Sequence, residues 1–154
     1  MLKIKTDNIF ISKLFHKFIN HLIYTSLKIK IEKLILFSFF YWKKQLNSIP
    51  LFYFFEALLK VRPLIGFYIF IIKNKKQQKI KIKPYFMNLY SRWQKAIYWF
   101  SRSLKMETGK LNLPYIFINE LYNIVFLEKS NTLVQKIKYY KTILLFKTSK
   151  NYNW

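Results

Sequence analysis

The sequence has no cysteine and only two glycines, Gly66 and Gly109. Without cysteine there is no disulfide, no thiolate-bound zinc and no thiol nucleophile. Two isolated glycines cannot build a phosphate-cradling loop. Acidic residues are also scarce, six in 154, and they are scattered. No carboxylate pair therefore stands ready for acid–base chemistry. His16 and His21 lie five apart, too far round a helix to act as adjacent metal ligands. Catalysis finds little support in this chain, and neither a cofactor nor a metal is expected. Long apolar runs are missing as well. A membrane-spanning helix needs about 20 mostly apolar residues. The longest charge-free run here is Gln45–Phe55, and Pro50 interrupts it. The runs Leu34–Trp42 and Pro63–Ile72 are shorter and are bounded by charges. No membrane partner is expected on that length rule.

The chain has 28 basic residues and a net charge of +22. Such a charge repels itself in a lone globule, so a polyanion is the expected partner. The basic residues are spread along the whole chain, which suits a body embedded in its partner better than a globule with a sticky tail. There are 25 Lys against 3 Arg. Lysine offers a point charge where arginine offers a bidentate fork, so recognition of backbone and shape is expected more than base reading. Aromatic residues make up 21%, enough both to fill a core and to leave rings for base stacking.

The patterning predicts one domain over residues 1–154, mainly α, with about six helices and a two-stranded arm over 64–84. Leu14, Phe15, Phe18, Ile19 and Leu22 share one helical face, and Ile31, Leu34, Ile35, Phe39 and Trp42 a second. Ser48 is a candidate cap for a third helix, with Pro50 in its first turn and Phe54, Phe55, Leu58 and Leu59 inward. Pro63 should stop that helix, because the residue before a proline disfavours helical backbone. The run 64–72 is mostly β-branched or aromatic, and lysine alternates with isoleucine from Lys79 to Lys83. A period of two puts Ile80 and Ile82 on one face and the lysines on the other. Asn74, Lys75 and Lys76 are the expected turn.

Leu89, Trp93, Ala96, Ile97, Phe100 and Leu104 predict the inner face of a fourth helix. Asn112 should cap a fifth, with Phe117, Leu121, Ile124 and Val125 inward. Ser130 or Asn131 should open a sixth, with Leu133, Ile137, Tyr140 and Leu144 inward.

The stretch from Glu56 to Trp93 reads as a helix ending at a proline, a basic hairpin, and a new helix opening on Arg-Trp. Ala57, Val61, Pro63, Gln77, Pro84, Leu89, Arg92 and Trp93 match, in order, the pattern around the arm of the universal small-subunit ribosomal protein seven family. The chain resembles that family elsewhere too. Lys17-Phe-Ile-Asn20, Leu22, Lys28 and Glu32 look like its first two helices and their basic turn. Asn119-Glu-Leu121 and the closing Tyr152-Asn-Trp154 look like two further motifs. The chain departs from the family at Thr25-Ser-Leu-Lys28, at the Asn74-Lys75-Lys76 tip, at Lys60 and at Lys79. It also reduces a basic N-terminal extension to Lys3 and Lys5.

The resemblance implies a structural constituent of the small ribosomal subunit. It would bind the 3′ major domain of the ribosomal RNA, organise head assembly, and lie near the tRNA exit site and the messenger path. The ninth and eleventh small-subunit proteins would be its neighbours. The residues expected on RNA are Lys3, Lys5, Lys28, Arg62, Lys73, Lys75, Lys76, Lys79, Lys81, Lys83, Arg92, Lys95, Arg102, Lys136, Lys138, Lys141, Tyr152 and Trp154. Arg62 and Arg92 flank the arm's root and read equally well as structural braces. Codon-biased composition, rich in Lys, Ile, Asn, Phe and Tyr, points to an A+T-rich genome. No arginine precedes Arg62, unlike an imported leader. Synthesis inside an organelle is therefore expected, a mitochondrion or alternatively a plastid. Two rivals stay open: another organellar RNA-binding protein, such as a maturase fragment or a species-specific ribosomal protein, and a small basic membrane protein.

Overall fold

The computed structural model describes residues 2–23, 28–46, 49–74, 77–107 and 112–147, with side chains over 11–23, 28–44, 49–70, 82–107 and 112–145. Six helices form: α1 (Leu2–Leu22), α2 (Lys28–Leu46), α3 (Pro50–Val61), α4 (Leu89–Glu107), α5 (Leu113–Tyr122) and α6 (Asn131–Lys147). Strands β1 (Ile65–Asn74) and β2 (Gln77–Phe86) make an antiparallel hairpin between α3 and α4, in register from Ile65↔Phe86 to Asn74↔Gln77. A π-helical turn, Asn123–Leu127, continues α5.

The first helical face packs as its spacing predicts, with Leu14, Phe15, Phe18, Ile19 and Leu22 all buried. Phe18 is the hub. Its ring lies 5.1 Å from Phe54, 5.2 Å from Phe100 and 5.8 Å from Phe117, so α1 is tied to α3, α4 and α5 at one point. Aromatic pairs at these separations add to the transfer free energy of burial. On α5 and the π turn, Phe117, Leu121, Ile124 and Val125 are buried as expected.

Helix α3 starts at Pro50 behind an extended Ile49, which occupies the cap position without a side-chain bond. Ser48, the expected cap, lies outside the described residues. The helix ends at Val61, and Arg62 turns to an extended ψ of 131° before Pro63, as the proline's steric demand requires. Asn112 occupies the α5 cap position, but its side chain makes no capping bond. Ser130 caps α6, its Oγ accepting from Leu133 N at 3.1 Å.

Two stripes need correction. Leu89 is exposed, whereas Trp93, Ala96, Ile97, Phe100 and Leu104 are buried as expected, joined by Trp99. Leu89 is the first residue of α4. On α6, the expected Leu133 and Tyr140 are half-buried, Leu133 against the core, but Ile137 and Leu144 are exposed, and the buried positions are Thr132 and Ile143, with Tyr139 half-buried. The inner face is turned toward Thr132, Tyr139 and Ile143 by less than the 100° between successive residues. That rotation places Tyr139 against Phe67 of the arm (4.9 Å, stacked) and Trp99 of α4 (5.2 Å, edge-on). A large ring buries more area there than Ile137 could.

The arm starts at Ile65 and ends at Phe86, two residues beyond the expected end at 84, because β2 runs on through Pro84. In a two-stranded sheet every strand has an open edge, where a residue without N–H is tolerated.

Candidate nucleic-acid interface

The arm's alternation appears where its side chains are described: Ile82 is buried and Lys83 exposed. Lys73, Lys79 and Lys81 fall on the strands, the last two opposite Ile72 and Phe70. Lys75 and Lys76 lie outside the described residues. Register puts Tyr68 opposite Lys83 and Phe70 opposite Lys81, on the face that also carries Gly66 and Tyr85. Tyr68 and Tyr85 stack at 4.2 Å. Gly66 permits this pair, since a Cβ there would lie 2.7 Å from Tyr85 Cζ and 2.9 Å from Met87 Cγ. One face of the arm thus combines exposed rings with lysine positions, which suits stacking on unpaired bases beside neutralised phosphates.

The arm's root is fixed to the body by polar bonds. Leu64 N donates to Tyr140 Oη at 2.9 Å, and Met87 N to Leu64 O at 3.1 Å. Arg92 Nε donates to Met87 O at 2.8 Å, and the Arg62 guanidinium sits 5.2 Å from the centre of the Trp93 ring. Both arginines therefore act as half-buried braces, which leaves part of each guanidinium for an outside partner. Lys95 is similarly engaged, its ammonium 4.4 Å from the Tyr139 ring centre. Burial holds the Lys95 ammonium below its ordinary value and pushes the Tyr139 phenol up to about 12.

A groove of about 330 Å³ opens beside this root, lined by Lys60, Glu128, Leu133, Lys136, Ile137 and Tyr140. Lys136 Nζ donates to Lys60 O at 2.5 Å, satisfying a carbonyl in the last turn of α3. Lys60 Nζ donates to Val125 O at 2.7 Å and pairs with Glu128 at 3.3 Å. Glu128 reaches it from a left-handed backbone (φ 53°), closed by Lys129 N donating to Asn123 O. Burial, and next the Arg62 guanidinium, hold Lys136 below the ordinary lysine value. An anion bound here would relieve that repulsion.

The remaining cations differ. Lys28, Lys83, Arg102, Lys138 and Lys141 are exposed, and their side chains make no hydrogen bond or ion pair among the described residues. They are available to phosphate without breaking internal contacts. Lys3 and Lys5 fall within α1, not on an extension before it. Tyr152 and Trp154 lie outside the described residues.

Lys60 was not among the residues singled out from the sequence for RNA, yet it lines the groove at the arm's root beside Lys136. Glu120 was also missed. It is 3% exposed and its Oε1 accepts from Ser103 Oγ (2.9 Å), Thr132 N (3.0 Å) and Thr132 Oγ1 (2.5 Å). The carboxylate sits at the N-terminus of α6, where the helix dipole favours negative charge, and ties α4, α5 and α6 together. It is the middle residue of the Asn119-Glu-Leu121 motif. Glu120→Ala should cost about 3 kcal/mol, because three donors lose a charged acceptor. Glu120→Gln should cost about a third of that. For a chain of this size the first is a fall in Tm of roughly 6–12 °C. Equal Tm values for Glu120→Ala and the parent would contradict the bracing role.

His21, half-buried near the C-terminus of α1, is held below the ordinary histidine value by burial first, then by Lys17 and Lys105. A lowered basic group destabilises the fold on acidification: the unfolded chain takes up the proton first, near the ordinary 6.5. Stability present above that pH should fall as pH drops through 6.5 toward the lower folded value. Urea midpoints at pH 7.5 and 5.5 check this, and His21→Gln should reduce the difference.

No protein-family model matches the chain, and no curated protein matches it. Among the described residues, no helix is long and apolar enough to cross a membrane, and no three His, Asp or Glu residues gather as a metal site.

Proposed function

We propose that this protein is a structural constituent of an organellar small ribosomal subunit, of the ribosomal protein seven type. The observation that carries the reading is the hairpin arm inserted between α3 and α4 of a six-helix body. That is the architecture the motif order around residues 56–93 implies. The charge supports it: +22 overall, with one ion pair among the described residues. In this reading the mechanism is not catalysis. The exposed cations neutralise phosphate across the 3′ major domain of the small-subunit RNA. The arm reaches toward the exit-site tRNA and the messenger path, and neighbouring head and platform proteins of the ninth and eleventh families pack on the body. The setting is a mitochondrial ribosome, with a plastid ribosome as the alternative.

The test is crosslinking of the tagged chain to RNA in organelle extract, with nucleotide-resolution sequencing. Crosslinks from the arm and from Lys136–Lys141 to the 3′ major domain are expected. Recovery dominated by an intron or a messenger RNA would replace this reading with that of a different organellar RNA-binding protein.

A further inference from the structure

A pocket of about 370 Å³ opens between α1 and the start of α4. Buried Leu14 and Trp93 line it, together with the exposed Tyr90. Leu89, expected in the core, lines this pocket instead. Three polar side chains complete the lining: Lys13 and Lys17, one turn apart on α1, and Gln94, next to Trp93 on α4. Among the described residues no carboxylate lines it. The Lys17 ammonium lies 4.2 Å from the centre of the Tyr90 ring and donates to Tyr90 Oη at 2.8 Å. That contact holds the ring at the pocket and leaves the ammonium further N–H groups for an anion. No second ring meets Tyr90 among the described residues, so a ring face is open to stacking. The Lys13 ammonium and the Gln94 amide make no hydrogen bond or ion pair among the described residues.

Cations, ring and amide together define the occupant. Two lysines at i and i+4 repel each other, and an anion beside both relieves the repulsion. A flat group next to that anion matches Tyr90, because unpaired bases are held by stacking on aromatic side chains. A base edge also carries donors and acceptors, which suits Gln94, whose amide offers both. No unmodified amino-acid side chain joins a flat ring to a negative charge at neutral pH, whereas every nucleotide does. A lipid tail would fill the apolar part of the pocket but leave the Gln94 amide against methylenes without a partner.

We propose that the pocket between α1 and α4 holds one unpaired nucleotide of the bound RNA, its base stacked on Tyr90 with Gln94 on the base edge, and its phosphate on Lys13 and Lys17. The site rests on the RNA partner of the proposed function and adds to it a place, away from the arm, where a single base is gripped. Stacking supplies most of the affinity, and the two lysines fix the backbone beside the pocket.

The probes are a short fluorescent single-stranded RNA and an abasic ribose-phosphate strand of the same length and charge, each titrated with the full chain and followed by anisotropy. Tyr90→Ala is expected to weaken binding of the RNA about fivefold or more, the loss of one stacked base, and to leave the abasic strand unchanged. Far-UV circular dichroism should stay the same, since the ring is exposed. Tyr98→Ala, which removes an exposed ring of the same helix outside the pocket, should change RNA binding by less than about twofold. Gln94→Leu should weaken the RNA about threefold and spare the abasic strand. Lys13→Ala should weaken both strands alike and lower the salt slope by about one. Equal RNA affinities for Tyr90→Ala and Tyr98→Ala would overturn the proposal while leaving the RNA partner intact. An equal loss of RNA and abasic strand in Tyr90→Ala would also overturn it, as would a loss of binding to phosphatidylglycerol vesicles with RNA binding undiminished. A parent chain that bound neither strand would remove the RNA partner itself, and the site with it.

Discussion

Raising monovalent salt from 50 to 200 mM is expected to weaken binding of this chain to small-subunit ribosomal RNA by about a thousand-fold or more, as for roughly 6–10 phosphate contacts. Each neutralised phosphate releases condensed counterions, so the logarithm of affinity falls linearly with the logarithm of salt. Lys28, Lys83, Arg102, Lys138 and Lys141 alone supply five exposed cations without internal partners among the described residues. The groove at the arm's root adds Lys60 and Lys136. Filter binding across a salt series gives the slope. Lys138→Glu/Lys141→Glu should reduce it by about two, one for each lysine removed from phosphate. Lys136→Ala should also lower stability, because its ammonium bonds the end of α3. A slope near zero would be incompatible with phosphate neutralisation as the main source of affinity.

The second large effect is on stability. Phe18→Ala should cost about 3–5 kcal/mol, through lost transfer free energy and the cavity left behind. Phe18 is fully buried and its ring meets those of Phe54, Phe100 and Phe117, so collapse around the gap requires movement of three helices. Natural domains have only about 5–15 kcal/mol in total, and this one also carries an uncompensated +22 charge. The variant should therefore be largely unfolded without a polyanion, by urea titration followed with circular dichroism. Phe37→Ala, on the exposed side of α2, should stay within about 0.5 kcal/mol of the parent. Comparable losses for the two would mean that the core is not centred on Phe18.

The arm and the buried carboxylate illustrate different degrees of legibility. Strict alternation over 79–83 together with Pro63 was enough to place a hairpin between two helices, because a period of two and a proline stop are local properties. The end of the arm at Phe86 was not legible, since a proline in a strand reads as a break unless the strand is known to have an open edge. Glu120 looked like one scattered acid. Nothing local shows that Ser103, seventeen residues earlier, and Thr132, twelve later, converge on it.

The sequence by itself determined the helical class, the place of the arm, the inner face of α1 and the excess of positive charge. These follow from periodicity, prolines and composition, which act over a few residues or over the whole chain at once. Tertiary structure alone decided the rotation of α6, where apolar residues lie on more than one side and packing of Tyr139 against Phe67 and Trp99 selects the buried one. It also divided the cations. Arg62, Arg92, Lys95 and Lys136 found rings and carbonyls in the fold, whereas Lys83, Arg102, Lys138 and Lys141 did not. A lysine's role depends on what lies within a few ångströms of its ammonium, and only the packing of distant segments sets that.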